Sequence, residues 1–439
     1  MVAAVDVARV LLWDHMVGAV AWDETRGAAT FEFDPDWLDR GLDIAPLMMP
    51  LREARRGRTR FQFPHLPPEA FHGLPGLLAD SLPDRFGQAL INAWLASQGR
   101  TPESFNPVER LCTIGHRGMG ALNFEPGLRT GLDRSVPVEI AALVDLAQSV
   151  LSERAGLQTN LDADSGDALR EIIRVGTSAG GARPKAVLAI NDETGEVRSG
   201  QVDAPAGFQP WLLKFDGVTG NNLGDPQGYG RIEYAYYLMA RAAGLEMMES
   251  RLLEENGRSH FLTRRFDRTP YGGRRHLQSL CAVAHLDYNM AGGHAYEQAF
   301  QVMRTLRLDY PAAEQMFRRA VFNIVARNQD DHTKNIAFLM DEEGRWSLSP
   351  AYDVTWAYNP EGAWTSAHQM TFHGKRGGFT PDDFLVVGRE MSIRHPGRVV
   401  AEVTDTVRRW PEFAAEAGVP EERSQQIAAT HRLDLTPPE

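Results

Sequence analysis

Short apolar runs open the chain at residues 10–13 and 17–22, and residues 30–33 alternate as Thr-Phe-Glu-Phe. Alternation with period two marks a strand with one buried face, and the polar stretch 23–27 reads as a turn. Together they predict a small antiparallel sheet. Residues 76–97 and 137–155 carry helical character instead. Between these two segments, residues 115–120 form a Gly-rich loop with His116 and Arg117. No internal repeat is evident.

Beyond about residue 130 the pattern changes. Residues 176–185 are small and flexible, 186–190 read as a strand, 191–195 as a turn and 211–215 as another strand. A polar, Gly-rich loop at 217–230 leads into a predicted helix at 231–243, and residues 261–266 are strand-like. The cleanest helix is 314–327. Met316, Ala320 and Ile324 form one row at four-residue spacing, and Phe317, Val321 and Val325 form the adjacent row. That helix delivers the chain to a polar stretch at 328–335. Two predicted strands, 336–340 and 346–348, follow and lead to Tyr352 and Asp353. Residues 396–439 begin helical and end in a polar tail.

A chain of 439 residues is too long for one ordinary core and predicts two or three packed units. The net charge of −12 disfavours wrapping bare nucleic acid, which needs clustered Lys and Arg. Arg52, Arg55, Arg56, Arg58 and Arg60 form one local cluster that a solvated helix end explains equally well. Cys112 and Cys281 have apolar neighbours and read as small buried hydrophobes, a usage that fits a reducing compartment. The N-terminus lacks the pattern of a signal peptide, and no apolar run approaches the roughly 20 residues that span a bilayer. The expectation is a soluble, cytoplasmic protein.

Phosphoryl transfer asks little covalent chemistry of a protein. It needs a carboxylate to orient or deprotonate the attacking hydroxyl, oxygen ligands for Mg2+, and cations beside the phosphates. Residues 328–335, Asn-Gln-Asp-Asp-His-Thr-Lys-Asn, offer such a set. Asp330 and Asn335 are five residues apart, the separation at which a kinase catalytic loop carries its base and its Mg2+-binding Asn. A short hairpin then returns to a second acid, Asp353. Upstream stand a Gly-rich loop with Gly180 and Gly181, a strand lysine, Lys214, and a helix glutamate, Glu233, 19 residues later. Each part alone has an ordinary reading: a polar loop after a helix, an exposed Lys, a Glu complementing a helix dipole. The ordered combination points to a kinase. G-x-G-x-x-G, H-R-D and D-F-G are all missing, and so is G-x4-G-K-[ST], which argues against a P-loop NTPase.

These residues resemble the HipA toxins, from near residue 8 to about residue 435. Residues 31–38 (Phe-Glu-Phe-Asp-Pro-Asp-Trp-Leu) and Leu82-Pro83-Asp84 are similar to that family's N-terminal domain. Residues 178–185 (Ser-Ala-Gly-Gly-Ala-Arg-Pro-Lys) resemble its Ser-containing flexible loop, and Arg265-Phe266-Asp267-Arg268 resembles its interlobe segment. Residues 330–335 and Tyr352-Asp353 resemble its catalytic and metal motifs. The resemblance implies an α+β, protein-kinase-like two-lobed fold with an additional N-terminal α/β domain. Residues 1–130 would form that domain, 131–270 an N-lobe-like region and 271–439 a helical C-lobe. It implies a Ser/Thr kinase toxin of a two-gene toxin–antitoxin module, using ATP and Mg2+. Some such kinases phosphorylate an aminoacyl-tRNA synthetase, glutamyl-tRNA synthetase, which slows translation and favours dormancy. The implied partner is a small helix-turn-helix antitoxin of the HipB type, with DNA reached only through it and no membrane involved.

The same resemblance distributes the roles. Asp330 is the base, and Asn335 and Asp353 hold Mg2+. Gly180, Gly181, Ala182, Lys185, Lys214, Glu233, Arg265, Phe266, His332 and Lys334 serve ATP and its phosphates. His332 reads equally as a satisfied turn histidine and Lys334 as an exposed lysine. Ser178 is an autophosphorylation site whose phosphate, with about −1.5 to −2 charge, would repel ATP and open the loop. Two positions depart from the family: Asp331, often Gly, adds a second carboxylate beside the base, and Arg264 replaces a frequent acidic residue. Rival readings are a kinase-shaped binding module for an antitoxin–DNA complex and a small-molecule kinase. A metal hydrolase on His276, His285 and His294 is remote, because nine-residue spacings do not share a helical face.

Overall fold

The computed structural model describes residues 5–83, 85–97, 99–127, 134–152, 175–176, 184–218, 228–269 and 272–437. Its first sheet is antiparallel: β1 (Val7–Leu12), β2 (His15–Asp23), β3 (Ala28–Phe33), β4 (Arg60–Gln62) and β5 (Leu122–Glu125), in the order β4-β3-β2-β1-β5. Trp13 and Asp14 alone join β1 to β2, and both have positive φ, 49° and 61°. That is the turn geometry whose twist matches a right-handed hairpin. The alternation at 30–33 sends Phe31 and Phe33 to the buried face, their rings 4.9 Å apart, while Glu32 pairs with Arg60 on the other. The sheet's core also takes in Val108, Leu111 and Cys112 from the helix Pro107–Ile114. Cys112 and Cys281 are free and buried in this same core, and burial pushes both thiols up to about 12.

The second sheet is also antiparallel: β6 (Lys185–Ile190), β7 (Val197–Ser199), β8 (Gln209–Lys214), β9 (Ser250–Glu255) and β10 (Arg258–Arg264), ordered β7-β6-β8-β10-β9. Its core includes Phe86 and Leu90 from the helix Arg85–Ser97. The helical segment expected at 76–97 is therefore two helices, Gly76–Ala79 and Arg85–Ser97. Pro83 lies between them, where it supplies no N–H to continue the ladder.

The remainder is mainly helical. It carries a three-stranded sheet of β11 (His276–Ser279), β13 (Ala337–Met340) and β14 (Trp346–Leu348), and the parallel pair β12 (His294–Ala295) and β15 (Met370–Thr371). Its central helix is Tyr310–Val325, and all six residues of the two predicted rows are buried at 0% exposure. The helix begins four residues before the predicted start. Asp309 caps it by accepting from Ala312 N at 3.2 Å, and Pro311 fits its first turn.

The N-terminal unit docks through specific contacts. Gly76 N donates to His285 Nε2 at 3.0 Å, and Asp80 accepts from Ser279 N and Oγ at 2.6 and 2.8 Å. A Cβ on Gly76 would lie 2.3 Å from Ala282 O, so only glycine permits this approach. Among the described residues, no helix is long and apolar enough to cross a membrane.

Four buried or half-buried histidines predict a pH response. Burial lowers His276 to about 3 and His260, His285 and His431 to about 4. His285 Nε2 and His260 Nδ1 (from Asp216 N) each accept a backbone N–H, which requires an unprotonated nitrogen. The unfolded chain would take up these protons first, near pH 6.5. Stability is therefore lost as pH falls from about 6.5 toward 4. Thermal unfolding at pH 7.5 and 5.0 should show a lower Tm at pH 5.0, with a shallower dependence in His285→Gln. A Tm unchanged on acidification would contradict the assignment.

Candidate active site

Strand register builds the first half of the site. Lys185 on β6 lies directly opposite Lys214 on β8, and Lys214 opposite Phe261 on β10. The helix Tyr229–Ala242 crosses close to β10 because its second residue is Gly230, where a Cβ would meet Ser259 O at 1.9 Å. That approach carries Glu233 to the Lys214 ammonium. Lys214 Nζ donates to Glu233 Oε1 and also to Asp353 Oδ1, while Lys185 Nζ stands 4.0 Å from Asp353 Oδ2. Burial opposes the charge on Lys214, but the two carboxylates outweigh it and hold the ammonium up at about 12. Burial likewise opposes ionisation of Asp353, yet Lys185 and Lys214 keep its carboxyl well below the usual range. Asp353 has φ 53°, a left-handed conformation uncommon for a non-glycine residue.

The second half is the loop after the helix Tyr310–Val325. Asn335 Nδ2 donates to Asp330 O at 2.8 Å, so the predicted five-residue spacing closes on itself. This orientation leaves the Asn335 amide oxygen as the free acceptor. The Asp330 side chain is 43% exposed to the cleft. Its Oδ1 accepts from Trp364 Nε1 at 2.5 Å and lies 3.8 Å from His332 Nε2. The His332 ring makes tilted contacts with Tyr288 and Trp364 at 5.5 and 6.3 Å, and burial lowers its pKa. Lys334 Nζ sits 4.6 Å over the Tyr288 ring. A cleft of about 2060 Å3 joins Lys185, Lys214, Glu233, Asp330, Asn335 and Asp353. Two hard oxygen donors, Asn335 Oδ1 and the Asp353 carboxylate, fit Mg2+, which binds through one or two protein oxygens plus phosphate oxygens.

Other predicted residues have different surroundings. Arg265 borders the cleft, but its guanidinium grips Asp267 at 3.0 and 2.8 Å and Gly200 O at 3.2 Å. Asp267 also accepts from Arg268 and, at 2.6 Å, from Gly120 N. Residues 265–268 thus anchor the Gly-rich loop at 115–120. Phe266 lines the cleft with its ring 5.4 Å from Tyr352. Arg264 faces Glu249 at 3.3 Å and lies over Trp211. Ser178, Gly180, Gly181 and Ala182 lie outside the described residues. His276 pairs with Gln278 and His285 with Gly76 N, and no metal-holding His/Cys/Asp/Glu group occurs among the described residues.

Asp331 is the main surprise. Its carboxylate turns away from the cleft into the core, where it accepts from Tyr296 OH, His368 Nδ1 and Gln369 N, each at 2.8 Å. A carboxylate only accepts and a guanidinium only donates, so His368 carries its proton on Nδ1 and accepts at Nε2 from Arg432 at 2.9 Å. Arg432 also donates to Ile324 O at 2.8 Å and Gln329 Oε1 at 3.1 Å, and its backbone N to Val325 O at 2.9 Å. The second carboxylate braces the loop from behind.

Residues 8–125 match the family model of the HipA N-terminal domain, and residues 177–434 that of the HipA-like C-terminal domain. The chain is 26% identical over 425 residues to the putative kinase Y4mE of Sinorhizobium fredii, covering 93% of this chain and 85% of that one. A second putative kinase of that organism, Y4dM, is 28% identical over 138 residues, 28% of this chain and 32% of its own length. Among solved structures, HipA of Shewanella oneidensis MR-1, in complex with HipB and its operator DNA, superposes with a TM-score of 0.64 at 17% identity. The match covers 98% of this chain and 96% of that one.

Lys214→Met should strand Glu233 without its cation, leave Asp353 with Lys185 alone, and cost about 3 kcal/mol in denaturant unfolding. The double variant Lys214→Met/Glu233→Met should recover part of that loss, because it removes both partners of the pair. Equal losses in the single and double variants would rule out this coupling.

Proposed function

The chain belongs to the HipA family, and on that premise we propose that it is an ATP- and Mg2+-dependent Ser/Thr protein kinase acting as the toxin of a toxin–antitoxin module. The observation that carries this reading is the convergence of Lys214, Glu233 and Asp353 beside the Asp330–Asn335 loop in one cleft. Lys185 and Lys214 would neutralise the phosphates of ATP. Asn335 and Asp353 would hold Mg2+, which when bound supplies neutralisation of charge on the transferring phosphoryl group. Asp330 is exposed where an acceptor hydroxyl can approach, and it orients that hydroxyl and takes its proton.

The substrate is a protein Ser or Thr, with an aminoacyl-tRNA synthetase such as glutamyl-tRNA synthetase as the first candidate. Ser178, in the Gly-rich loop, is the proposed autophosphorylation site. The Shewanella relative is in complex with HipB and operator DNA. A small helix-turn-helix antitoxin is the corresponding partner proposed for this chain, with DNA contacted through it.

Asp330→Asn is expected to reduce phosphate transfer by on the order of 10²- to 10⁴-fold while ATP affinity stays within about twofold. Intact mass and peptide mapping after incubation with Mg-ATP, with calorimetry for ATP binding, check both halves. A phosphate on Ser178 in the wild type, absent in Asp330→Asn, is the expected result; a phosphate elsewhere would remove Ser178 as the switch. A wild type that binds ATP but transfers no phosphate, even to a synthetase substrate, would favour a kinase-shaped binding module. A folded, unphosphorylated protein that binds no ATP would overturn the proposal.

A further inference from the structure

Trp364 is the residue at the base that the general chemistry of phosphoryl transfer does not call for. Its indole Nε1–H donates to Asp330 Oδ1 at 2.5 Å, and its ring is half-buried beside His332. It lies in the segment that follows Asp353, and that segment is stapled to the approach of the catalytic loop. Gln329 N donates to Ala357 O and Ala357 N to Arg327 O, each at 3.1 Å. Gln329 Nε2 donates to Thr365 O at 2.9 Å, and Asn359 N to Thr365 O at 3.2 Å. Gln369 Nε2 donates to the carbonyls of Trp364 and Ala367. The indole is therefore held on both sides by fixed backbone and is aimed at one carboxylate oxygen.

A carboxylate bonded only to solvent can turn about its terminal torsion, which has a broad minimum. One fixed donor on Oδ1 selects an orientation and leaves Oδ2 for the incoming hydroxyl. An indole is a neutral donor, so it holds the oxygen without adding a cation that would compete for the phosphates. We propose that Trp364 is a positioning residue whose N–H fixes the Asp330 carboxylate and aims its second oxygen at the acceptor hydroxyl. The inference rests on the kinase reading above. In the step itself the acceptor O–H bond breaks and its proton passes to Asp330 Oδ2. The acceptor oxygen bonds the γ-phosphorus, and the bond to the leaving oxygen of ADP breaks. Trp364 exchanges no atom.

The test uses the full chain with Mg-ATP, with itself and dephosphorylated casein as acceptors. Trp364→Phe keeps the ring and loses the donor; Trp364→His keeps a ring N–H. In Trp364→Phe the transfer rate at saturating ATP should fall roughly 10- to 100-fold with KM for ATP within about twofold, as expected of a misaimed base. Trp364→His should recover part of the rate. An unchanged rate in Trp364→Phe while Asp330→Asn is inactive would overturn the inference and leave the kinase reading standing. So would a KM for ATP that rises in parallel, or a His variant no better than Phe, since either marks a packing role. A wild type that phosphorylates neither acceptor, nor glutamyl-tRNA synthetase, would sink the kinase reading and this inference with it. Nuclear magnetic resonance gives a readout independent of turnover. The indole N–H signal missing in Trp364→Phe should exchange slowly in the wild type and shift in Asp330→Ala. If it stays in place, the contact is absent in solution and the inference falls.

Discussion

Lys214 is a buried ammonium facing two carboxylates, and those three groups come from three elements that would not otherwise have to meet. The lysine is on the sheet of the second unit, Glu233 is on the helix packed against that sheet, and Asp353 follows the hairpin of the helical unit. Taking such charges out of water costs several kcal/mol per ion, so the cluster is a poor device for stability alone. It is a strong device for specificity of arrangement. Losing Lys214 would leave Glu233 without its cation, and the pairing brings the second sheet against the segment that carries Asp353. The left-handed backbone at Asp353 is tolerated because the surrounding charges fix it.

The parts of the site that were legible in the sequence are those whose contacts are local or ordered. Asn335 reaches back to the carbonyl of Asp330 within one loop, so their spacing already contains the contact. The rows of the Tyr310–Val325 helix follow from its period, and the order of Lys214, Glu233, Asp330 and Asp353 from the logic of phosphoryl transfer. What was not legible depends on backbone direction or on distant chain. Asp330 and Asp331 are neighbours of identical chemistry, and only the turn of the loop sends one to the cleft and the other to Tyr296 and His368. Trp364 reaches Asp330 across 34 residues with no period or spacing to announce it. Arg265 did carry a signal: residues two apart in extended chain share a side, and Asp267 is two residues on.

The segment 265–268 also ties the N-terminal sheet's unit to the second sheet. Asp267 collects Arg265, Arg268 and the amide of Gly120, so the Gly-rich loop of the N-terminal unit and the strand leaving the second sheet share one buried anion. Gly76 and Asp80 tie the same unit to His285 and Ser279. The N-terminal unit therefore forms a wall of the cleft, contributing His72, Asp80 and Gln88 to its lining.

The brace behind the Asp330 loop has a temporal side. Arg432 secures His368, Ile324 O and Gln329, yet it is translated about a hundred residues after the loop it supports. At roughly 5–20 residues per second, an emerging chain spends some seconds holding every proposed catalytic group while still lacking this support. During that interval the His368–Asp331 pair is open on one side and the loop has no back wall. The order of synthesis thus sets an order of competence. Asp330 is made early and its loop is braced late, when the segment after the helix Glu421–Ala428 folds behind it.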